Sequence, residues 1–304
     1  VRLGGAAPAG LLSQVGVARL RYTDSMAEHA EALAPELADF PLGSALPPRL
    51  VPVVNDVHAR GSEVVTLADL SRFDTEMSPQ DAGRALRRAG WLNPLRTRGA
   101  WSVNFVMSPA HLGGFRELRA RLSTHPDTPT VIAGKSVAQV HDWLRRGTAR
   151  SIGCPPNYKL PRCLTGYRVC RWEPRIPVDV VWELPIWKPE TLLVFMAARP
   201  SQFSWADIAD WLWEACDSID ADMLSAELDG RPRSTWVKTG YLLNEGERPD
   251  IADLLLESAP SDDTGPYVLG HRERRVGRFI YQPVWSPKFE LMDYLLPAWW
   301  QPRI

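Results

Sequence analysis

The stretch SPQDAGRALRRAG, residues 78–90, carries the signals for both ends of one helix. Ser78 can cap the start by accepting a hydrogen bond from a free backbone amide. Pro79 suits the first helical position because its missing N–H would be unpaired there anyway. Asp81 places a carboxylate over the free amides of the first turn. Gly90 supplies the left-handed residue that ends the helix. Between these limits Ala82, Ala85, Leu86 and Ala89 form an apolar stripe, and Gln80, Arg84, Arg87 and Arg88 form the opposite one. A helix this short, with so small an apolar face, must dock on a core built by its neighbours.

The flanking sequence names those neighbours. Upstream, Leu50, Val51, Val53, Val54 and Val57 predict a first helix ending near HARG, with Gly61 as its stop. Val64 and Val65 predict a short strand. Thr66 is an N-cap for a second helix carrying Leu67, Leu70 and Phe73 at helical spacing. Downstream, WLNPL and AWSVNF flank the tip RTRG, and Trp101, Val103 and Phe105 alternate as one buried face of a hairpin strand. Helix, short strand, helix, helix, hairpin is the order of a winged helix-turn-helix, whose third helix is presented to the major groove of DNA.

Charge follows the same division. The chain has a net charge of -1, which excludes a polybasic nucleic-acid coat, so affinity for phosphate must come from local clustering. Residues 48–107 hold eight arginines and six acids, but five of those arginines and one of the acids lie from Ser78 onward. Only five of the 35 basic residues are lysine, a genome-wide bias that weakens any inference from arginine over lysine. Arg84, Arg87 and Arg88 stand at i, i+3 and i+4 and share one helical face, so they can reach phosphates or guanine edges together. Gln80 lies on the same face. Arg96 and Arg98 sit at the wing tip, where they would meet the minor groove or the flanking phosphates. The competing account of all six is a solvated surface. Gly83, in mid-helix, costs about 1 kcal/mol relative to alanine, which close approach of another backbone would explain.

A chain of 304 residues exceeds what one core usually organises, so two domains are expected. The predicted organisation is a flexible Ala- and Pro-rich arm over 1–46, the winged helix-turn-helix domain over 47–107, a turn-rich linker over 108–128 and a mixed α/β domain over 129–304. The fold class is therefore α/β (α+β), a small winged helix followed by a larger mixed domain. Within the larger domain the pattern predicts a helix over KSVAQVHDWLRR, strands over YRVCRW and DVVWEL, and helices over PETLLVFMAAR, SWADIADWLWEAC, STWVKTGYLLNEG and DIADLLLES. Strands over PYVLG and RFIYQP and a last helix over KFELMDYLLPAWW follow. Met26 is an alternative start to Val1, since ordered-looking sequence begins near Leu50.

No catalytic or metal centre emerges, and no cofactor is expected. In VIAGKS, Lys135 and Ser136 follow Gly134 like the end of a phosphate loop, but Pro129 occupies the position of the required first glycine, and Ser136 reads as an N-cap. Asp179, Glu183 and Lys188 lack the strand spacing of a nuclease centre. The six histidines are scattered, and the four cysteines lack zinc-site spacing. Those cysteines read as reduced thiols of a cytoplasmic protein with no membrane association. Trp205, Trp211 and Trp213, with Trp299 and Trp300, suggest core packing first and a partner-binding aromatic patch second.

Several blocks carry a family likeness: ALRRAGWLNPLRTRGAWSV in the first half, and PETLLVFMAARPSQFSWADIADWL, GRPRSTWVKTGYLLNEG and WSPKFELMDYLLP in the second. The chain resembles antitoxins of the AbiEi/MenA type, winged-helix partners of nucleotidyltransferase toxins in type IV and related toxin–antitoxin pairs. The resemblance implies a non-enzymatic protein that binds double-stranded DNA at its own promoter, represses its operon and counteracts a cognate nucleotidyltransferase toxin. It implies DNA contacts at Arg84, Arg87, Arg88, Arg96 and Arg98. The alternatives are a stand-alone winged-helix regulator with a ligand-sensing C-terminal domain, and a DNA-processing enzyme.

Overall fold

The computed structural model describes residues 46–104, 113–144, 150–208, 210–261, 264–270, 275–276, 279–280 and 284–295. The expected N-terminal arm, apart from residue 46, lies outside them, as do Phe105, Trp299 and Trp300.

The first unit follows the expected order. A 3-10 turn over Pro48–Leu50 leads into α1 (Val51–Ala59), and Gly61 leaves it with φ of 59°. Strand β1 (Val64–Thr66) runs into α2 (Leu67–Leu70) through a capping box, in which the Thr66 side chain and the Asp69 carboxylate each take up the other's backbone amide. Helix α2 is a single turn. It stops short of Phe73, because the amides of Arg72 and Phe73 bond three residues back instead of four. Helix α3 (Pro79–Arg88) is capped by Ser78 and left through Gly90 at φ of 80°. Strands β2 (Leu92–Pro94) and β3 (Ala100–Val103) form the wing, and the antiparallel sheet runs β1-β3-β2. Leu50, Val53, Val57, Val65, Leu70, Leu86, Leu92 and Val103 form its core.

The wing sheet is covered on both faces. Trp101 and Val103 face that core, while Ala100 packs with Val64 against Ala120 on the other side. Ala120 belongs to α4 (Arg116–Thr124), a helix within the span read as linker. The turn residues around it masked its short apolar face.

The larger unit centres on a mixed five-stranded sheet, β6-β5-β4-β8-β7. Its strands are β4 (Val131–Ile132), β5 (Ser151–Cys154), β6 (Arg168–Arg171), β7 (Asp179–Val181) and β8 (Leu184–Ile186). Helix α5 (Lys135–Val140) ends well before the expected Arg146, and Asp142 turns the chain at φ of 60°. Its N-cap is Gly134. Ser136 lies inside the helix and accepts from the Ser151 amide at 2.8 Å, so it joins α5 to β5 and does not cap. DVVWEL is a tight hairpin and not one strand: Trp182 and Glu183, at φ of 54° and 62°, are the two left-handed residues between β7 and β8.

Helices follow the sheet. Every residue of α6 (Pro189–Ala198) from Glu190 to Ala197 is buried, the pattern of a helix enclosed on all sides. The span 204–216 divides into α7 (Trp205–Ile208) and α8 (Leu212–Asp217). Then come α9 (Ala221–Leu228), capped by Asp220, α10 (Arg233–Glu245) and α11 (Pro249–Ser258). Helix α10 packs on α6, α8 and α11. Strands β9 (Tyr267–Leu269), β10 (Arg275–Val276), β11 (Phe279–Ile280), β12 (Val284–Ser286) and β13 (Leu291–Asp293) complete the chain, with sheet order β12-β13-β9 and a separate β10-β11 pair.

Strand β13 replaces the expected last helix. Phe289, Leu291, Asp293 and Leu295 are buried with a period of two, and Asp293 fits an inward position because it accepts from the Tyr241 hydroxyl at 2.9 Å. A carboxylate at an inward position is what hid the strand in the sequence. Among the tryptophans, Trp205 and Trp211 are core residues, while Trp213 is exposed.

Candidate nucleic-acid interface

Helix α3 buries Ala82, Gly83, Leu86 and Ala89 and half-buries Ala85. Gln80, Arg84, Arg87 and Arg88 are all exposed on the opposite face. Gly83 is explained by a side chain and not by a backbone: a Cβ there would lie 2.7 Å from the Trp101 ring. The indole of the wing strand therefore sets how closely α3 approaches the sheet.

Electrostatically the face is less basic than three arginines suggest. Asp81 accepts from the Ser78 hydroxyl at 2.7 Å and from Arg84 at 3.0 Å. The Ser78 hydrogen bond, followed by the charges of Arg84 and Arg88, holds the Asp81 carboxyl below the ordinary carboxylate range. Asp81 thus stays ionised and offsets one positive charge. The sequence marked Asp81 as a helix-start signal; its i, i+3 pairing with Arg84 is the second role that spacing carried.

The wing is held from two sides. The amide of Leu67 donates to the Gly99 carbonyl at 2.9 Å. On the other side, the Glu117 carboxylate of α4 accepts from the amides of Arg96 at 2.6 Å and Thr97 at 3.2 Å, and from the Thr97 hydroxyl at 3.3 Å. Arg96 and Arg98 are both exposed, but Arg96 does not simply extend the α3 face. Its guanidinium lies 3.7 Å from where a Cβ on Gly166 would sit, so it turns toward the larger unit. Glu117 and the cleft that receives Arg96 escaped the sequence because both depend on contacts between distant segments.

The remaining candidates fall to structural roles. Lys188 pairs with Asp179 at 3.1 Å, whereas Glu183 sits in the hairpin turn and pairs with Arg119 at 3.0 Å. Arg119 also donates to the Trp182 carbonyl at 2.7 Å, which fixes the turn. Among the described residues no group of three His, Cys, Asp or Glu side chains could hold a metal ion, and no helix is long and apolar enough to cross a membrane.

Comparison with known proteins bears on the larger unit first. Residues 131–245 match the model of the AbiEi antitoxin C-terminal domain. Among solved structures, the crystal structure of the RV2827C protein from Mycobacterium tuberculosis is similar, with a TM-score of 0.64 and 28% identity, covering 83% of this chain and 93% of that one. No curated protein matches the chain. The matched block runs from β4 to the end of α10, the sheet and helices that form the main core. Residues 131–245 therefore belong to the AbiEi antitoxin C-terminal domain family.

Proposed function

We propose that this chain is an AbiEi-type antitoxin that binds double-stranded DNA at its own promoter, represses its operon and counteracts a cognate nucleotidyltransferase toxin, acting by binding and not by catalysis. Residues 47–107 are the DNA-binding unit and 129–304 the antitoxin domain, working in the cytoplasm. The observation that carries the DNA assignment is the exposed face of Gln80, Arg84, Arg87 and Arg88 on the third helix of a winged-helix arrangement. Arg98 at the wing tip supplies a further contact to the flanking phosphates.

Fluorescence anisotropy with the promoter duplex tests this assignment. Replacing Arg87 and Arg88 by alanine should weaken binding and lower the slope of log affinity against log salt by about one for each phosphate that is no longer neutralised. An unchanged slope and affinity would remove α3 from the interface. Finding a nucleotidyltransferase gene beside this one and co-purifying its product with the chain tests the second half, and failure to co-purify would argue against neutralisation by direct contact.

A further inference from the structure

Between the wing and the larger unit lies an open cleft of about 450 Å³, within the size range of small-molecule sites. Arg96 enters it from the wing, Arg116 from the start of α4 and Arg150 from the segment before β5. Facing these three guanidinium groups is one carboxylate, Glu117, whose oxygens are already occupied by the wing amides and the Thr97 hydroxyl. Tyr167 adds a flat aromatic wall stacked on Phe115, with ring centroids 5.8 Å apart. Its hydroxyl donates to the Gly114 carbonyl at 3.0 Å, and burial pushes its pKa up to about 12, so it brings no negative charge.

The positive charges are not used internally. Among the described residues no ion pair joins Arg96, Arg116 or Arg150 to a carboxylate. The Arg116 Nε is buried and has no acceptor. A buried guanidinium nitrogen without a partner calls for a missing anion or water. The arginine fork matches two oxygens of a phosphate, and three arginines lining one cleft with an aromatic ring suit a phosphate ester that carries a planar group.

We propose that this cleft binds a small phosphorylated ligand of the nucleotide class, with its phosphates held by Arg96, Arg116 and Arg150 and its planar group against Tyr167. The same phosphate chemistry could come from a DNA backbone, and the experiment separates the two sources. Isothermal titration calorimetry of the full chain would use pyrophosphate and adenosine diphosphate as probes, without DNA. Saturable binding at one site per chain is expected, tighter for the nucleotide, and weakened about tenfold or more by Arg116→Gln combined with Arg150→Gln. Arg150 is exposed, so Arg150→Gln alone tests the cleft, with the melting temperature measured beside binding to show that the fold is kept. Lys159→Gln, which removes an exposed charge that does not line the cleft, should leave binding unaltered. The proposal is overturned by three results: no saturable binding of either probe, equal weakening by Lys159→Gln, or arginine variants that weaken duplex DNA binding alone.

Discussion

Gly83 shows how one residue can set the pose of an element. Helix propensity alone says that alanine at this position should stabilise α3 by about 1 kcal/mol. The structure puts the edge of the Trp101 indole 2.7 Å from the new methyl group, closer than carbon atoms tolerate. Trp101 is half-buried in the winged-helix core, and its ring is rigid, so either it or α3 must move. Overpacking of this kind costs about 1–3 kcal/mol, which matches or exceeds the propensity gain. Gly83→Ala is therefore expected to lower stability by up to about 2 kcal/mol in urea denaturation. On the proposed function it should also weaken promoter binding, because α3 is displaced. A gain in stability near 1 kcal/mol would mean that the tryptophan yields freely and that the glycine has no packing role.

At the scale of elements, α4 is the piece that fixes the wing. The Glu117 carboxylate holds two consecutive wing amides, while Ala120 packs under β1 and β3. Removing the carboxylate by Glu117→Ala should leave the hairpin formed but its tip loose. Amide exchange at Arg96 and Thr97 is expected to accelerate about tenfold, the equivalent of one hydrogen bond to a charged group. Exchange at Trp101 and Val103, within the sheet, should stay slow. Uniform acceleration across the hairpin would show that α4 supports the strands and not the tip. This helix also marks the limit of what the sequence disclosed. The elements around α3 were legible because their signals are local: Thr66 and Ser78 cap, Gly61 and Gly90 stop, and the arginine face follows from i, i+3, i+4 spacing. The turn at Trp182–Glu183 has no glycine or asparagine to announce it, since Arg119 on a distant helix stabilises it. Strand β13 was hidden by an inward aspartate whose partner is Tyr241. The candidate interface divides in the same way. Its α3 residues could be read from one helix, whereas the direction of Arg96 depends on Gly166 and its surroundings.

In the molecule as a whole, the fully buried Glu227 of α9 is the polar centre of the larger core. It accepts from the Trp172 indole at 3.2 Å, the amides of Arg175 at 2.8 Å and Ile176 at 3.3 Å, the Thr191 hydroxyl at 3.2 Å and Arg231 at 2.8 Å. Those donors come from the chain after β6, from α6 and from the turn after α9, so one carboxylate joins the sheet to the helical layer. Arg231 is held from above as well, with its guanidinium 3.9 Å from the centre of the Trp172 ring. The two charges are not equivalent in what their removal leaves behind. Without Glu227, a half-buried guanidinium and four other donors lose their acceptor, and breaking a buried pair in this direction costs about 3–5 kcal/mol. Without Arg231, the carboxylate keeps the indole, both amides and the hydroxyl as donors. Glu227→Ala is therefore expected to destabilise the chain by about 3–5 kcal/mol, and Arg231→Met, which keeps most of the packing over Trp172, by clearly less. Urea denaturation followed by tryptophan fluorescence would read both. Equal losses would mean that the ion pair, and not the set of neutral donors around the carboxylate, organises this core.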